Sequence, residues 1–231
     1  MARLPRLALA GQAHLVTLVG RAGQVVFVDD HDRRSFLAAL QEVALALRVA
    51  VQAYVLDDDH LHLLLTPADD PGLGALMQGL GRRYGAAFNR RHGRSGSLWA
   101  GRFRATVVQP GPALLEVLLF IDQHPLRNRH AQQPADQRWC SARAHLGLER
   151  QALLGDCPAW WALGNTPFER EAAYRHLLEE GLSVERAKAL GQASRKGWAL
   201  GDAAFLAEMA RLTPRPLGPR PRGRPRRDGV D

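Results

Sequence analysis

Two histidines separated by a single residue, His60 and His62, have the clearest potential for chemistry in this sequence. They begin an apolar run. Side chains along a strand alternate between its two faces, so both imidazoles should point one way while Leu61 points the other. Two nitrogen ligands on one rigid strand form half of a divalent-metal site. The alternative is a strand end that carries two histidines and binds nothing.

A second segment, which ends at Pro125, offers a third nitrogen ligand. Proline cannot continue a helix, so the apolar helix before it should stop near His124. Phe120 and His124 are four residues apart and therefore share a helix face. If that face packs beside the strand of His60 and His62, three nitrogens meet. A histidine that only stabilises a helix C-terminus is the other possibility, and the sequence leaves both open.

The composition is that of a basic protein with enough apolar residues to fold. The 231 residues are 46% hydrophobic and carry a net charge of +8. This balance favours a polyanionic partner, most simply nucleic acid, over a membrane surface. Cys140 and Cys157 lack metal-binding spacing and suit a reducing cytoplasm. No apolar run is long enough to cross a membrane, and the first ten residues lack the pattern of a signal peptide.

Hydrophobic periodicity predicts four strands and three helices in a domain of residues 1–130, in the order β-α-β-β-α-β-α. Asp30 is the expected N-cap of the first helix. The predicted strands cover residues 14–20, 49–56, 60–65 and 103–109, and the predicted helices cover residues 31–47, 71–89 and 112–124. This order predicts an α+β, ferredoxin-like fold, in which an antiparallel sheet carries helices on one face.

Residues 131–210 should form a helical appendage, with helices at 168–180 and 184–192. Such a pair is either a helix-turn-helix or a helical unit packed on the first domain, and we favour the second. Residues 211–231 are rich in arginine and proline and are expected to be disordered. Arg222 and Arg224 in this tail belong to an AT-hook-like motif, whose arginines enter narrow A·T minor grooves. Non-specific phosphate binding fits the tail equally well.

Residues 81–104 form a basic segment without any acidic residue. Arginines contact phosphates and aromatic faces stack on unpaired bases, so we favour a nucleic-acid contact over a solvated helix face with core aromatics. The predicted DNA-binding residues of this segment are Arg82, Arg83, Arg90, Arg91, Arg94, Arg102, Arg104 and Trp99, with Tyr84, Phe88 and Phe103 interleaved among them.

Several stretches of the chain together resemble one family, the REP-associated members of the IS200-like, single-tyrosine transposases within the HUH endonuclease group. The most specific is the pair of blocks that runs from Phe88 to Gly96 and from Leu98 to Phe103. The other matching stretches are Ala2-Arg3-Leu4-Pro5-Arg6, Ala53-Tyr54-Val55-Leu56, His60-Leu61-His62-Leu63-Leu64-Leu65, Arg143-Ala144-His145-Leu146-Gly147 and Arg222-Gly223-Arg224-Pro225.

The resemblance implies a mechanism. Two histidines, here His60 and His62, and a polar residue from a later helix hold Mg²⁺ or Mn²⁺, which polarises a phosphate of single-stranded DNA beside a hairpin. A tyrosine one turn before the third ligand attacks, which leaves a 5′-phosphotyrosine link and a free 3′-OH. The resemblance also implies a bacterial, cytoplasmic, nucleoid-associated protein that is a monomer or a homodimer.

The chain departs from the family pattern at the residues that matter most. Phe120 stands where the family has its nucleophilic tyrosine, and phenylalanine has no oxygen with which to attack phosphorus. His124 stands where the family usually has asparagine, and a histidine there can still coordinate a metal. Asp58 and Asp59 replace a Pro-Asn pair before the first histidine. These extra carboxylates either attract metal or repel DNA.

Two functions therefore remain open. The chain is a transposase-family protein that acts on hairpin-forming single-stranded DNA, with Tyr54, Tyr84 or an activated water in place of the missing nucleophile. Alternatively, it is an inactive regulatory protein that occupies DNA repeats. A decaying enzyme without a selected role is a third possibility. Metal-dependent DNA affinity separates a working metal site from simple charge attraction.

Overall fold

The computed structural model describes residues 7–128 and 131–219. Two single turns of 3-10 helix, Arg21–Gly23 and Pro134–Asp136, accompany the main elements. In chain order the main elements of the described residues are β1 (Ala13–Val19), α1 (Asp30–Ala46), β2 (Val49–Leu56), β3 (His60–Pro67), α2 (Gly72–Arg91), β4 (Arg104–Val108), α3 (Pro112–Asp122), α4 (His124–Arg127), α5 (Ala142–His145), α6 (Pro158–Trp161), α7 (Pro167–Glu180), α8 (Val184–Lys196) and α9 (Ala203–Leu212).

The four strands form one antiparallel sheet in the order β2-β3-β1-β4. The first and third strands along the chain are the two central strands, which is the arrangement of the split-βαβ unit. The predicted α+β, ferredoxin-like fold is therefore confirmed. The register places Val19 opposite His60 and Thr17 opposite His62, so the two histidines end up in the middle of the sheet beside β1.

Alternation along β3 divides its side chains between two cores. Leu61, Leu63 and Leu65 belong to the core beneath α1 and α2. Leu64 belongs to a second core on the opposite face, which α3 and the C-terminal helices cover. His60 and His62 lie on the same face of the strand as Leu64, so they face α3. The apolar partners on either side fix the register, because a slip of one residue would turn the leucines out of their core.

The first helix begins one residue earlier than predicted. Asp29, not Asp30, is its N-cap, and the Asp29 carboxylate accepts a hydrogen bond from the Asp32 amide. The assignment to Asp30 was wrong because both aspartates precede the apolar stripe and only the backbone geometry distinguishes them. Asp29 has extended dihedral angles, as an N-cap residue should, while Asp30 is already helical.

The C-terminal helices pack onto the sheet. Tyr174 of α7 and Leu190 of α8 lie in the same core as Val117 of α3. Helix α8 contacts β1, β4 and α3. The C-terminal helices thus bury part of their apolar surface against the first domain, as favoured from the sequence, while the exact domain boundaries stay predictions.

The expectation of disorder from residue 211 is wrong for residues 211–219, because Arg211 and Leu212 end α9 and Arg215 donates hydrogen bonds to the carbonyl oxygens of Lys196 and Gly197. The rest of that tail, with its AT-hook-like motif, lies outside the described residues. Among the described helices, none is both long and apolar enough to cross a membrane.

Candidate metal centre and nucleic-acid interface

Three histidines meet between β3 and the segment that follows α3. One ligand atom of each of His60, His62 and His124 lies within 4.8 Å of the corresponding atoms of the other two. The ring centroids are 4.8 Å apart for His60 and His124, 5.1 Å for His62 and His124, and 5.4 Å for His60 and His62. Three imidazoles at this spacing can converge on a single divalent cation. The three side chains that the sequence identified separately thus form one cluster.

Hydrogen bonds fix two of the rings on the side away from the cluster. The Nδ1 atom of His62 is 2.9 Å from the Thr17 hydroxyl on the neighbouring strand. The Nδ1 atom of His60 is 2.6 Å from a carboxylate oxygen of Asp59. Such second partners set the tautomer and the orientation of a metal-binding histidine. They leave Nε2 of both rings available as the ligand atom, and Nε2 of His60 lies 3.0 Å from Nε2 of His124.

Asp57 is a member of the site that the sequence analysis missed. One of its carboxylate oxygens lies 3.2 Å from His124 Nε2 and accepts a hydrogen bond of 2.5 Å from the Asn128 amide. Asn128 also lies 3.0 Å from His124 Nε2. The signal was present, because Asp57 begins the acidic run before His60, but attention went to Asp58 and Asp59. Only the folded turn shows which carboxylate faces the histidines.

The electrostatics of the cluster favour metal binding. Burial, reinforced by the neighbouring positive groups, lowers the pKa of His62 well below its ordinary value. Burial also lowers the pKa of His124, and this outweighs the opposite effect of Asp57. For Asp57, burial acts to raise the pKa, but hydrogen bonds from His124, the Asp58 amide and Asn128 bring it below its usual range. At neutral pH His62 and His124 are therefore uncharged, which is the form that binds a metal, and Asp57 carries a negative charge.

Phe120 lies beside this cluster, at the position that the resemblance assigns to the nucleophile. Its ring meets the His62 ring nearly edge-on, with centroids 5.5 Å apart. The Arg127 guanidinium lies 4.2 Å from the centre of the Phe120 ring and donates a hydrogen bond to the Phe120 carbonyl oxygen. Burial lowers the pKa of Arg127 only to about 10, so it stays positively charged at neutral pH. The site therefore has a cation next to residue 120 but no hydroxyl there.

The remaining tyrosines cannot take the place of Phe120. Tyr54 and Tyr84 belong to the core on the opposite face of the sheet from the histidines. Tyr174 is fully buried and donates a hydrogen bond to Asp122. Burial raises the pKa of all three phenols above the ordinary value, so none is readily ionised. The expectation that Tyr54 or Tyr84 could supply the nucleophile is wrong, since a sheet separates both from the metal cluster.

An open groove of about 680 Å³ runs across the cluster, with β3 and α3 on one side and α8 on the other. It is lined by the three histidines, by Phe120 and by Arg127. Thr17 and Val19 also line a second groove of about 560 Å³, in which Arg102 and Arg104 lie. Because the two grooves share these β1 residues, the histidines and the two arginines face one continuous surface.

The basic segment divides into free and paired arginines. Arg82, Arg90, Arg102 and Arg104 are exposed and form no ion pair within the described part of the chain. Three other predicted DNA-binding arginines already contact side chains of the same molecule. Arg83 pairs with Glu42, Arg91 pairs with Asp29 and Asp32, and Arg94 donates to Gln24. Arg222 and Arg224 lie outside the described residues.

The interleaved aromatic residues pack in the core. Trp99 is only 9% exposed, and Tyr84, Phe88 and Phe103 belong with it to the core beneath α1 and α2. The Trp99 ring lies 6.2 Å from that of Tyr84. Little of the Trp99 ring is open to a nucleotide base in this conformation, which argues against stacking, and its assignment as a DNA-binding residue stays a prediction. The spacing of these aromatics reflects the packing of α2 and the following loop.

A buried charge network holds the end of α3, two residues before His124. Asp122 is fully buried, and its carboxylate accepts hydrogen bonds from Ser141 at 2.6 Å and Tyr174 at 2.8 Å. The same carboxylate lies 2.6 Å from His145 Nδ1, and His145 Nε2 lies 3.1 Å from the Gln52 carbonyl oxygen. Both nitrogens of His145 thus lie within hydrogen-bonding distance of oxygen atoms, which fixes the orientation of its ring.

Asp122→Asn should destabilise the protein by roughly 1–3 kcal/mol, because the asparagine amide cannot replace the carboxylate in all three hydrogen bonds with Ser141, Tyr174 and His145, and a buried polar group is left unsatisfied. Urea unfolding followed by circular dichroism measures the change. Glu208→Gln is the matched control, since Glu208 is an exposed carboxylate of α9, and it should alter the free energy of unfolding by less than about 0.5 kcal/mol. Equal, small effects of both substitutions would show that Asp122 is not a structural anchor.

Comparisons with known proteins agree with this fold. The family model for IS200-like transposases matches residues 9–122. A solved structure described as a REP-associated tyrosine transposase bound to a REP hairpin is 14% identical, with a TM-score of 0.53 over 68% of this chain and 99% of that chain. A candidate transposase from Deinococcus radiodurans R1 is 23% identical, with a TM-score of 0.36 over 57% of this chain and 99% of that one. No curated protein matches the sequence.

The chain belongs to the IS200-like transposase family. The match runs from just before β1 to the last residue of α3, so it includes the whole sheet, the strand of His60 and His62, and the helix of Phe120. The REP-associated structure confirms the fold. Helices α4–α9 follow the matched segment, so both His124 at the start of α4 and the α8 wall of the groove lie outside it.

Proposed function

We propose that this protein binds hairpin-forming single-stranded DNA at a divalent-metal centre and forms no covalent link to DNA through residue 120. The observation that carries the proposal is the cluster of His60, His62 and His124 in one groove with Phe120. This groove contains the ligand set of a metal-dependent DNA-processing site, but the nucleophile is missing. Binding and polarisation of a phosphate remain possible, whereas attack by a side chain does not.

The donor set fits a divalent cation. His60, His62 and His124 would hold it, and the Asp57 carboxylate lies beside His124 to balance its charge. Imidazole nitrogens suit Mn²⁺ better than Mg²⁺, which prefers oxygen ligands. Of these two metals, we therefore propose that Mn²⁺ binds the site more tightly. When bound, the metal supplies Lewis-acid polarisation of a phosphate oxygen. The chain itself supplies the orientation of the ligands, through Thr17 and Asp59.

Charge and surface continuity support DNA as the partner. The chain carries a net charge of +8. Arg102 and Arg104 are exposed beside the metal groove, where they can contact phosphates as a strand leaves it. Arg82 and Arg90 are further exposed cations, on α2, which covers the opposite face of the sheet. The REP-associated transposase of similar fold is described as bound to a REP hairpin, and we propose the same class of ligand here.

A regulatory role without cleavage is the second candidate, and the replacement of the expected tyrosine by Phe120 favours it. In that role the protein occupies hairpin-forming repeats and blocks other proteins. Both candidates need hairpin binding. They differ in whether a metal-activated water can hydrolyse the strand, which would give free ends without a covalent intermediate.

In Mn²⁺, the protein should bind a hairpin with a single-stranded flank at least tenfold more tightly than a blunt duplex of equal length. The expected reason is that only a flexible single strand can reach the histidines within the groove. Fluorescence anisotropy with labelled oligonucleotides measures both affinities at one ionic strength. An unstructured single strand of the same length is the control. Equal affinity for all three DNAs would indicate charge attraction alone and would contradict the proposal.

A further inference from the structure

One face of α8 forms the wall of the groove opposite the three histidines. Lys188, Gly191 and Arg195 follow one another at spacings of three and four residues, so they lie on the same side of the helix. Ala187 and Ser194 complete this face. The helix is held in place from behind, because Leu190 is fully buried in the core beneath α3.

The two cations of this face are free within the described chain. Lys188 and Arg195 are exposed, and neither pairs with a carboxylate among the described residues. Arg186, on a neighbouring side of α8, does pair, with Glu116 of α3. Arg186 therefore helps to hold α8 against α3, while Lys188 and Arg195 line the groove without an ion-pair partner among the described residues. Uncompensated positive charge beside a metal-binding cluster attracts an anion with several charges rather than a neutral ligand.

The small residue between the two cations keeps the groove open next to the reactive position. A Cβ atom at Gly191 would lie 4.0 Å from Phe120 Cζ and 3.6 Å from Arg195 Nη1. The Arg195 guanidinium and the Phe120 ring thus both lie beside Gly191. Lys188 and Arg195 are seven residues apart, which is roughly 10 Å along a helix. That separation suits two phosphates of one strand and exceeds what a single small anion can bridge.

We infer that α8 is the second wall of a DNA channel, in which Lys188 and Arg195 hold the phosphate backbone of the single-stranded flank against the metal centre. This inference rests on the proposed function and adds a binding surface from outside the segment that matches the family model. The hairpin stem stays outside the channel, near Arg102 and Arg104. The α8 cations therefore act on the flank alone.

The test compares two double variants of the full chain with the same change in net charge. Lys188→Glu with Arg195→Glu reverses the channel cations, and Lys196→Glu with Arg211→Glu reverses two exposed cations that do not line the groove. Anisotropy titrations in Mn²⁺ use one hairpin with a single-stranded flank and the same hairpin without it. Circular dichroism melting checks that each variant is folded. If the Lys188→Glu, Arg195→Glu variant unfolds, glutamine replaces glutamate at both positions, and the control then carries glutamine at Lys196 and Arg211 as well.

The channel variant should bind the flanked hairpin at least tenfold more weakly than wild type, and the hairpin without a flank within threefold of wild type. The slope of log affinity against log salt should fall by about 1.4, because two contacts to a single strand are lost. The control variant should stay within threefold on both DNAs. Equal weakening by both variants, or no weakening by the channel variant, overturns the inference while leaving the proposed function intact. Failure of the wild type to prefer the flanked hairpin over blunt duplex overturns both.

Discussion

Phe120→Tyr is expected to attach covalently to hairpin-flanked single-stranded DNA in Mn²⁺, whereas the wild-type protein attaches none. The substitution adds one oxygen at the position that the resemblance assigns to the nucleophile. The new hydroxyl attacks phosphorus, and the bond from phosphorus to the 3′ oxygen breaks. The products are a 5′-phosphotyrosine link and a free 3′-OH, with the phenolic proton passing by way of solvent to the leaving 3′ oxygen.

The surroundings of residue 120 are prepared for such a hydroxyl. The Arg127 guanidinium lies over the ring at 4.2 Å from its centre, and a nearby cation favours the phenolate form of a tyrosine. The ring lies 5.5 Å from that of His62, one of the three proposed metal ligands. Gly191 has no side chain to fill the space next to Cζ, so an added oxygen meets little steric resistance.

A denaturing gel with end-labelled DNA detects the adduct as a slowly migrating band. Phe168→Tyr is the matched control, because Phe168 is 78% exposed on α7 and lies outside the groove; it should give no adduct. Adding His62→Ala to Phe120→Tyr should abolish the band. An adduct formed by wild type would show that another residue is the nucleophile. A Phe120→Tyr protein that binds metal and hairpin DNA but stays unattached would contradict the assignment of residue 120.

Substitution of both strand histidines, His60→Ala with His62→Ala, should lower the affinity for Mn²⁺ by at least about 100-fold. Loss of a residue that merely supports a ligand typically lowers metal affinity by 10–100-fold, so loss of two ligands should exceed that range. Isothermal titration calorimetry measures the change directly. The effect should not depend on DNA, because the ligands come from β3 and the start of α4 alone.

His176→Ala is the control for this measurement. His176 is exposed on α7, where its Nε2 atom lies 3.3 Å from a carboxylate oxygen of Glu180. Its removal should leave Mn²⁺ affinity unchanged. Thermal melting in the absence of metal should show that the double histidine variant still folds, because Leu61, Leu63 and Leu64 of the same strand still pack in the two cores. Unchanged Mn²⁺ affinity in a folded double variant would exclude the three-histidine site.

The fold was readable from the sequence because each element has its own pattern. Leu61, Leu63 and Leu65 alternate with His60, His62 and Leu64, which specifies a strand between two cores. Pro125 indicated that α3 ends shortly after Phe120; the helix ends at Asp122, two residues before the predicted end, and Pro125 lies in the first turn of α4. The order of elements then leaves few topologies, and the observed sheet is the one that the split-βαβ order predicts.

The site was only partly readable, for reasons of three-dimensional packing. The sequence placed His60 with His62, but only the crossing of α3 over the sheet brings His124 to them. Asp57 was missed because a turn decides which of three adjacent carboxylates faces inward. Trp99 was assigned to DNA because aromatic residues among arginines are typical of nucleic-acid surfaces, yet the loop that follows α2 folds its ring into the core.

The basic segment of residues 81–104 likewise shows that a local sequence pattern does not reveal partners that are distant in the chain. Seven arginines without an acid in their own segment looked free, but Arg91 and Arg83 find carboxylates on α1, far away in sequence. Local charge counts do not include such partners. The α8 face gave the opposite error, because Lys188 and Arg195 lie in a segment of mixed charge and gained their significance only when the fold placed them opposite the histidines.

The most direct test of the central claim is the affinity of the wild-type protein for a flanked DNA hairpin in Mn²⁺ and in EDTA at the same ionic strength. Fluorescence anisotropy gives both dissociation constants. We predict at least tenfold tighter binding in Mn²⁺, with the difference lost in the variant that combines His60→Ala and His62→Ala. Equal affinity in Mn²⁺ and EDTA would mean that DNA is held by arginine charge alone, and would contradict a metal centre that takes part in DNA binding.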